Sequence, residues 1–551
     1  VEAAGALQRG GLSTYLEAAR AWAASRSRAF WIVAGLTVAA AALRFATLGL
    51  QSYHHDEVVT ASRVLRGSFW HAMDAVGFSE SAPPLYYALA WLWAQAAGTG
   101  EAGLRSLSAL AGVATVPVAY LVARDLTAGP TGPTGRKRQL RCRFRPVGGS
   151  SAGIAAAALV AVNPMLVWYS QEARAYALLV LLTSLAFLYF VRALRASEGD
   201  APVVSGPYGS LSTGASRSLV LWGVFSGLAL ATHYFAFFAI AAEAVWLLRR
   251  RGREALRGIA VLAAFGLALV PLVVHQMSYA HADWISNFTL GQRLWETGLT
   301  FMLGETGDVI AQPEHPLLAL VPGALAVTAL LLVLARGRAA DRRAASVPLA
   351  IAAVTLAVPL AIALVAPGAD FVLARNLLPA LVPLLVAMAI GFTLPAARRL
   401  GAVLGVALVA YSLGFSVWAS LSPALQRPDW DAVAAALGEP RTPRAMVTWT
   451  IGEAPLRWYL STGSFQVRPA EGFAWWVGEV DFVSDGKVPP PPRRLIGPGF
   501  RQTAHERVGQ LWVRRYERTA PGLAPLRLRA LRQARLGFRS NGVLLDGIGP
   551  E

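Results

Sequence analysis

Runs of roughly 20 apolar residues recur along this chain, parted by short connections rich in arginine, and that alternation limits the fold more than any motif does. A helix of about 20 apolar residues is what crossing about 30 Å of hydrocarbon requires. Such runs fall at 29–49, 103–125, 151–169, 176–195, 217–232, 234–249, 258–276, 316–335, 346–366, 376–395 and 401–420. The expected fold is an all-α polytopic membrane protein with about eleven transmembrane helices. Composition agrees: 55% of the 551 residues are hydrophobic and only 15% charged, too little polar surface for a soluble protein of this size. A net charge of +18 would point a soluble domain toward nucleic acid, but here the arginines sit between apolar runs, where they write topology. No nucleic-acid partner is expected.

The positive-inside rule orders the spans. The connection holding Arg136, Lys137, Arg138, Arg141, Arg143 and Arg145 belongs in the cytoplasm, as do Arg249 to Arg251, Arg336 to Arg343 and Arg398-Arg399. That decides the segment 83–97, which is apolar but only about 15 residues long, short for a span. It is placed as a juxtamembrane helix inside one long external loop, 50–102. The run Leu219 to Leu248 has basic flanks on both sides, so it is read as two crossings turning near Thr232-His233-Tyr234. The N-terminus is then inside and the C-terminus outside. Arg9, Arg20, Arg26 and Arg28 before the apolar run from Phe30 read as an uncleaved signal-anchor. The lone Cys142 excludes an internal disulfide.

The division expected is a cytoplasmic segment 1–28, a transmembrane domain 29–420 and an extracytoplasmic domain 421–551. The last is rich in Pro, Arg and Trp, with strand-like 445–450 and 511–516 and a helix-like 429–437, the pattern of a small α/β domain. Residues 199–215 read as a flexible loop and the basic tail Arg527 to Arg539 as solvated surface.

With this topology Arg44, Asp56, Glu57, Glu80, Glu172, Arg174, Tyr176, His233, Tyr234 and Arg375 all fall at the external mouths of the helices. Charges near hydrocarbon are costly, so their convergence marks a candidate site. Asp56 and Glu57 are adjacent and point different ways, so one can act while the other binds or orients. Asp56 could equally cap a helix over 57–66. Glu172 and Arg174 could pair with each other, and Arg44 and Arg375 could snorkel to headgroups or hold a phosphate. His54 and His55 lack a third ligand at standard metal spacing, so no protein-built metal site is expected.

Seven segments then resemble a known family: 54–67 (HHDEVVTASRVLRG), 81–93 (SAPPLYYALAWLW), 104–126, 163–182 (NPMLVWYSQEARAYALLVLL), 232–238 (THYFAFF), 374–385 (ARNLLPALVPLL) and 427–437 (RPDWDAVAAAL). In this order, over roughly residues 30–440, the chain resembles the polyprenyl-phosphate-sugar-dependent C-type (GT-C) membrane glycosyltransferases, the branch of protein O-mannosyltransferases and lipid A aminoarabinose transferases. The resemblance implies transfer, with inversion, of a sugar from a lipid-phosphate donor to an acceptor hydroxyl on a lipid, glycan or glycoprotein at the outer face of a plasma or inner membrane. It makes Asp56 the base and Glu57 an acceptor or sugar ligand. Arg174, Arg375 or Arg44 would hold the donor phosphate, with His55, Glu80, Tyr86, Glu172, Tyr176, His233 and Tyr234 around the sugar. Some relatives in the wider superfamily use a divalent cation near the carboxylates. The text Glu80-Ser81-Ala82-Pro83-Pro84-Leu85-Tyr86 lacks the family's His before Pro-Pro and argues against a protein acceptor of the standard type. A transporter or flippase of lipid-linked sugars is the alternative from another class, although it calls for inverted repeats and midplane charges that the chain does not display. A scaffold acting through 424–551 is a third.

Overall fold

The computed structural model describes residues 27–128, 149–196, 214–279, 285, 288–306, 316–366, 371–460, 465–467, 474–485, 496, 499–527, 531, 536 and 541–546. Cys142, the basic residues 136–145, nearly all of 199–215 and most of the 527–539 tail lie outside that set.

The chain is mostly helical. Helix α1 (Arg28–Phe45) opens with the Ser27 hydroxyl accepting the Phe30 N–H, which satisfies one of the donors a helix start leaves over. Three short helices follow, α2 (His55–Val59), α3 (Phe69–Ser79) and α4 (Leu85–Ala97). The thirteen residues of α4 rise only about 20 Å, too little for a crossing. Then come α5 (Glu101–Thr127), α6 (Gly149–Val162), α7 (Pro164–Ser170), α8 (Tyr176–Arg195), α9 (Gly214–Leu230), α10 (Ala236–Arg251) and α11 (Leu256–Met277). Helix α12 (Leu290–Leu303) precedes α13 (Pro316–Arg336), α14 (Ala339–Val365), α15 (Leu381–Phe392) and α16 (Arg398–Leu421).

Among the described residues eight helical stretches are long and apolar enough to cross a membrane, nine if the bent pair α6 and α7 makes one span. That pair turns by 56° at Asn163-Pro164, where proline has no N–H to give and Asn163 caps the new helix through the Leu166 N–H. One of the eight stretches, Ala236–Met277, joins α10 to α11 through a 3₁₀ turn and Gly252, whose φ of +53° is a conformation glycine adopts freely. At 42 residues it would be about 60 Å long, twice the hydrocarbon thickness. Its second half runs parallel to α9: Gly223 lies against Gly258 and, one turn on, Gly227 against Phe265. A Cβ on Gly223 would stand 2.3 Å from the Gly258 carbonyl oxygen, so glycine sets how closely α9 and α11 approach. Parallel neighbours separated by one helix require that helix to run back between them, so α10 is antiparallel to α9 and α11.

Hydrogen bonds define the two ends of the bundle. At one end Gln276 donates to the carbonyls of Val76 (3.0 Å) and Ala82 (3.2 Å) and accepts from the Tyr234 hydroxyl (2.7 Å), while the Leu85 N–H reaches the Ala231 carbonyl (2.9 Å). At the other, Asp125 takes Arg124 (2.7 Å) and Arg192 (3.0 Å), and the Arg251 Nε donates to the Ala193 carbonyl (2.8 Å). The 50–102 segment is thereby held at the Gln276 end.

Past α16 the chain builds a small sheet domain on that same end. Helices α17 (Trp430–Leu437) and α18 (Thr450–Tyr459) flank strand β1 (Arg444–Trp449), followed by β2 (Phe465–Val467), β3 (Ala474–Val477), β4 (Glu479–Asp485), β5 (Phe500–Val508), β6 (Leu511–Arg518), β7 (Ala524–Arg527) and β8 (Asn541–Asp546). Six strands form one sheet in the order β2-β8-β1-β4-β6-β5, with β1 and β4 parallel, and β3 pairs with β7. The domain docks on the 50–57 loop: the Ser52 hydroxyl donates to the Pro428 carbonyl (3.0 Å), and the Tyr53 N–H donates to the Tyr459 hydroxyl (2.6 Å).

Candidate active site

Between the bundle and the sheet domain lies a cavity of about 560 Å³. The segment leading into α2 brings His54, His55 and Asp56 to it, the end of α3 brings Glu80, and the turn between α7 and α8 brings Arg174. Tyr176, His233, Arg375 and Asn376 close the bundle side, and Thr450 and Ile451 of the sheet domain close the other. His55 Nδ1 donates to the Ile451 carbonyl at 3.0 Å, tying the two walls together.

Asp56 and Glu57 follow one another on α2, about 100° apart around the helix, so they cannot share an environment. Asp56 faces the cavity, 3.7 Å from Arg375, and both side chains are about a third exposed (32% and 31%). Burial pushes the Asp56 carboxyl up, but Arg174 and Arg375, helped by His54 and His55, outweigh it and hold it well below the usual carboxylate range. Asp56 is therefore ionised near neutrality. A π-helical turn, Thr60–Val64, follows α2, and the Thr60 hydroxyl donates back to the Asp56 carbonyl (3.0 Å). Its Oγ1 also accepts from Arg174 at 3.1 Å, so this irregular turn aligns the acid with the guanidinium.

Arg174 is in turn fixed by Glu80 (2.9 Å), whose same oxygen takes the Tyr87 hydroxyl (2.6 Å). Burial raises the Glu80 carboxyl against the pull of Arg174 and Tyr87, while its other oxygen is buried without a hydrogen-bond partner. The Tyr176 ring packs 4.7 Å from Tyr169 and 5.8 Å from His233. Burial, and then Arg375 and Arg174, push the His233 imidazole down to about 3, so it is neutral and can both give and take a hydrogen bond.

Of the residues expected here, the cavity gathers Asp56, His55, Glu80, Arg174, Tyr176, His233 and Arg375. Five lie elsewhere, and the reasons are physical. Glu57 is fully buried: both oxygens are taken by the Arg105 fork (2.8 and 2.7 Å), and the Ala173 and His54 N–H groups complete its shell. Burial opposes its ionisation, yet Arg105 and these donors bring the carboxyl down to about 2. It caps α2, the role open to Asp56 on sequence, and has no lone pair aimed at a substrate. Arg44 neither snorkels nor reaches the cavity; it donates to the Ala161 (2.7 Å) and Val160 (3.2 Å) carbonyls at the α6–α7 bend. Glu172 pairs with Arg427 (2.8 Å) rather than Arg174. Tyr86 is buried beside Ser108 (3.4 Å), and the Tyr234 hydroxyl is spent on Gln276.

Sequence reasoning assigns Arg105 and Arg427 no role, and weighs His54 only as half of a possible metal pair. Arg105 had a readable signal, an arginine at the head of an apolar run. Arg427, stacked 4.3 Å over the Trp168 ring, stands at the start of the 427–437 segment. Among the described residues no group of three His, Cys, Asp or Glu side chains is placed to hold a metal ion.

Residues 83–256 match the family model of the protein O-mannosyl-transferase TMEM260 N-terminal domain. The C-type glycosyltransferase resemblance read from the residues thus meets an independent match over the helices that carry Arg174 and His233. The match starts at Pro83, so of the Glu80–Tyr86 text only Glu80, Ser81 and Ala82 lie outside it. No curated protein matches the chain. Among solved structures it is similar to the Saccharomyces cerevisiae protein O-mannosyltransferase Pmt1–Pmt2 complex bound to its sugar donor, at 19% identity and a TM-score of 0.33 over 50% of this chain. It spans only 37% of that yeast chain. It is also similar to ArnT from Cupriavidus metallidurans bound to undecaprenyl phosphate, at 15% identity and a TM-score of 0.39, over 89% of this chain and 98% of that one. An Archaeoglobus fulgidus oligosaccharyltransferase tethered to an acceptor peptide is similar at 13% identity and a TM-score of 0.46, over 79% and 59% of the two chains.

Proposed function

We propose that this chain is a membrane glycosyltransferase that moves a sugar from a polyprenyl-phosphate donor to an acceptor hydroxyl, with inversion, using Asp56 as the base. The observation that carries this reading is an ionised carboxylate on a cavity wall, set 3.7 Å from one guanidinium and within the field of another. The match of 83–256 to a mannosyl-transferase family supports the same class.

The chemistry needs few parts. Asp56 takes the acceptor proton as the hydroxyl oxygen attacks the anomeric carbon. The bond from that carbon to the phosphate oxygen breaks, and the electron pair leaves on the lipid phosphate. A phosphate monoester has its second pKa near about 6, so it departs without a general acid. Arg375, with Arg174 behind it, offsets the charge that grows there. A carboxylate held low is a weak base, and Arg375 links the two steps. When the donor phosphate engages Arg375, Asp56 loses part of the field that holds it ionised and becomes more basic with substrate in place. Neutral His233 and Tyr176 on the cavity wall are suited to sugar hydroxyls. Glu57, through Arg105, positions α2 and touches no substrate.

The bundle is read as eleven traverses, α9, α10 and α11 each counting as one and the bent α6–α7 pair as another. That places the cavity and sheet domain at one membrane face and the N-terminus at the other. Arg192, Arg195, Arg249 to Arg251, Arg336 and Arg398-Arg399 all lie at the end away from the cavity, which supports an extracytoplasmic cavity in a plasma or inner membrane. Any divalent cation would have to be held by Asp56 together with donor phosphate and water, since no protein cage exists among the described residues.

The test is transfer from a polyprenyl-phosphate mannose donor in reconstituted membranes, followed by release of polyprenyl phosphate. Wild type should release it, Asp56→Asn should not, and movement of intact donor between leaflets without release would refute the reading. Repeating the assay with a chelator reads metal dependence directly.

A further inference from the structure

A second concavity, about 620 Å³, lies at the end of the bundle opposite the Asp56 cavity. Its floor is one stripe of α13, Thr328, Leu331 and Leu332, with Leu400 of α16 across from it. Its rim is Arg336, where α13 ends, and Arg398 and Arg399, where α16 begins; no carboxylate lines it. Two other basic clusters at this end have acidic partners of their own. Asp125 neutralises Arg124 and Arg192, and the neighbouring helix start at α14 is capped by its own Asp341, which accepts the Arg338 N–H at 3.1 Å. The α16 start has no acidic residue in its first turn, so three guanidiniums and the positive end of a 24-residue helix face one apolar-floored groove.

We propose that this groove binds one anionic glycerophospholipid, its phosphate among Arg336, Arg398 and Arg399 and an acyl chain along the α13 stripe. Charge complementarity selects the headgroup, since the arginine fork matches phosphate oxygens. The floor selects a lipid over a free anion: Leu331, Leu332 and Leu400 have nothing to offer inorganic phosphate but cover methylenes at the depth where a span meets the headgroups. The site is independent of the proposed reaction.

Full-length chain purified in detergent and titrated with dioleoyl phosphatidylglycerol or dioleoyl phosphatidylcholine can be read by native mass spectrometry. It should retain one phosphatidylglycerol at least about tenfold more tightly than phosphatidylcholine, as expected of several arginines near one phosphate. The triple variant R336Q/R398Q/R399Q should lose that preference. Because removing these charges can disturb insertion, Leu331→Trp, which fills the floor and keeps every arginine, should independently lower phosphatidylglycerol retention. Millimolar inorganic phosphate should not displace the lipid. Equal retention by wild type and the triple variant overturns the proposal, as does displacement by inorganic phosphate or full retention by Leu331→Trp.

Discussion

Two places in this protein concentrate carboxylates and guanidiniums, and they differ in what the charges face. In the sheet domain Arg444 is wholly buried and grips Asp546 at 2.6 Å, with Glu479 and Asp481 each 3.8 Å away. Arg515 closes the group from Glu479 (3.0 Å) and Asp481 (3.1 Å). This cluster stitches β8, β1, β4 and β6 together and, among the described residues, lines none of the three cavities of about 560–660 Å³. At the membrane end Asp56 and Arg375 sit a third exposed, 3.7 Å apart, on a cavity wall. Charge density alone therefore does not mark a site. An ion pair that is part exposed and opens onto space a substrate can fill is the better candidate.

The strongest attempt to break the distinction is Asp56→Asn, expected to slow transfer by about 10²–10⁴ while the folded fraction stays at the wild-type level. Near-normal turnover in reconstituted vesicles would move the chemistry elsewhere. Arg444→Met should show the opposite signature. Breaking one partner of a buried pair costs about 3–5 kcal/mol, read as early unfolding or proteolysis of the sheet domain, with transfer per folded molecule preserved. Glu57→Gln, although next to Asp56, should behave like Arg444→Met and not like Asp56→Asn. Arg375→Gln should lower kcat by about 10²–10³ if it meets charge on the leaving phosphate. A change confined to KM would reduce it to a binding group.

The smallest effect sharpens the contrast through pH. Burial and the adjacent Glu479 raise the Asp481 carboxyl against Arg515 and Arg444, so its folded form holds a proton that the unfolded chain gives up. That stabilisation is complete below the ordinary carboxylate range and is lost as pH rises toward the raised value. Asp56, held low, contributes stability above the ordinary range that is lost as pH falls. Thermal melts across the acid-to-neutral range should therefore flatten on opposite sides in Asp481→Asn and Asp56→Asn.

How far the sequence reaches follows the same line between local and distant contacts. Apolar length and basic flanks place the helices, including the reversal at Gly252, because each is written within a few dozen residues. That Asp56, Arg174 and Arg375 share one cavity is legible because the expected topology puts them at one end. Partner choice is not legible: Glu172 lies two residues from Arg174 yet takes Arg427, 255 positions on, and Glu57 takes Arg105. Nor does spacing show that β8, last in the chain, pairs with β1. Side-chain alternation fixes a strand's faces, not its neighbours.

Arg44 adds a matter of timing. The guanidinium belongs to the first described helix, but its carbonyl partners Val160 and Ala161 come more than a hundred residues later, at a bend that leaves those carbonyls short of intrahelical donors. Before α6 is made, the guanidinium has, of its carbonyl acceptors, only Ala40 in its own helix (3.3 Å), and α6 on its own ends in carbonyls that Pro164 cannot serve; each is costly if buried alone. Both debts cancel only when the two helices meet. The contact that joins α1 to α6 thus exists only once the chain has been made as far as the α6–α7 bend, and the turn carrying Arg174 follows directly.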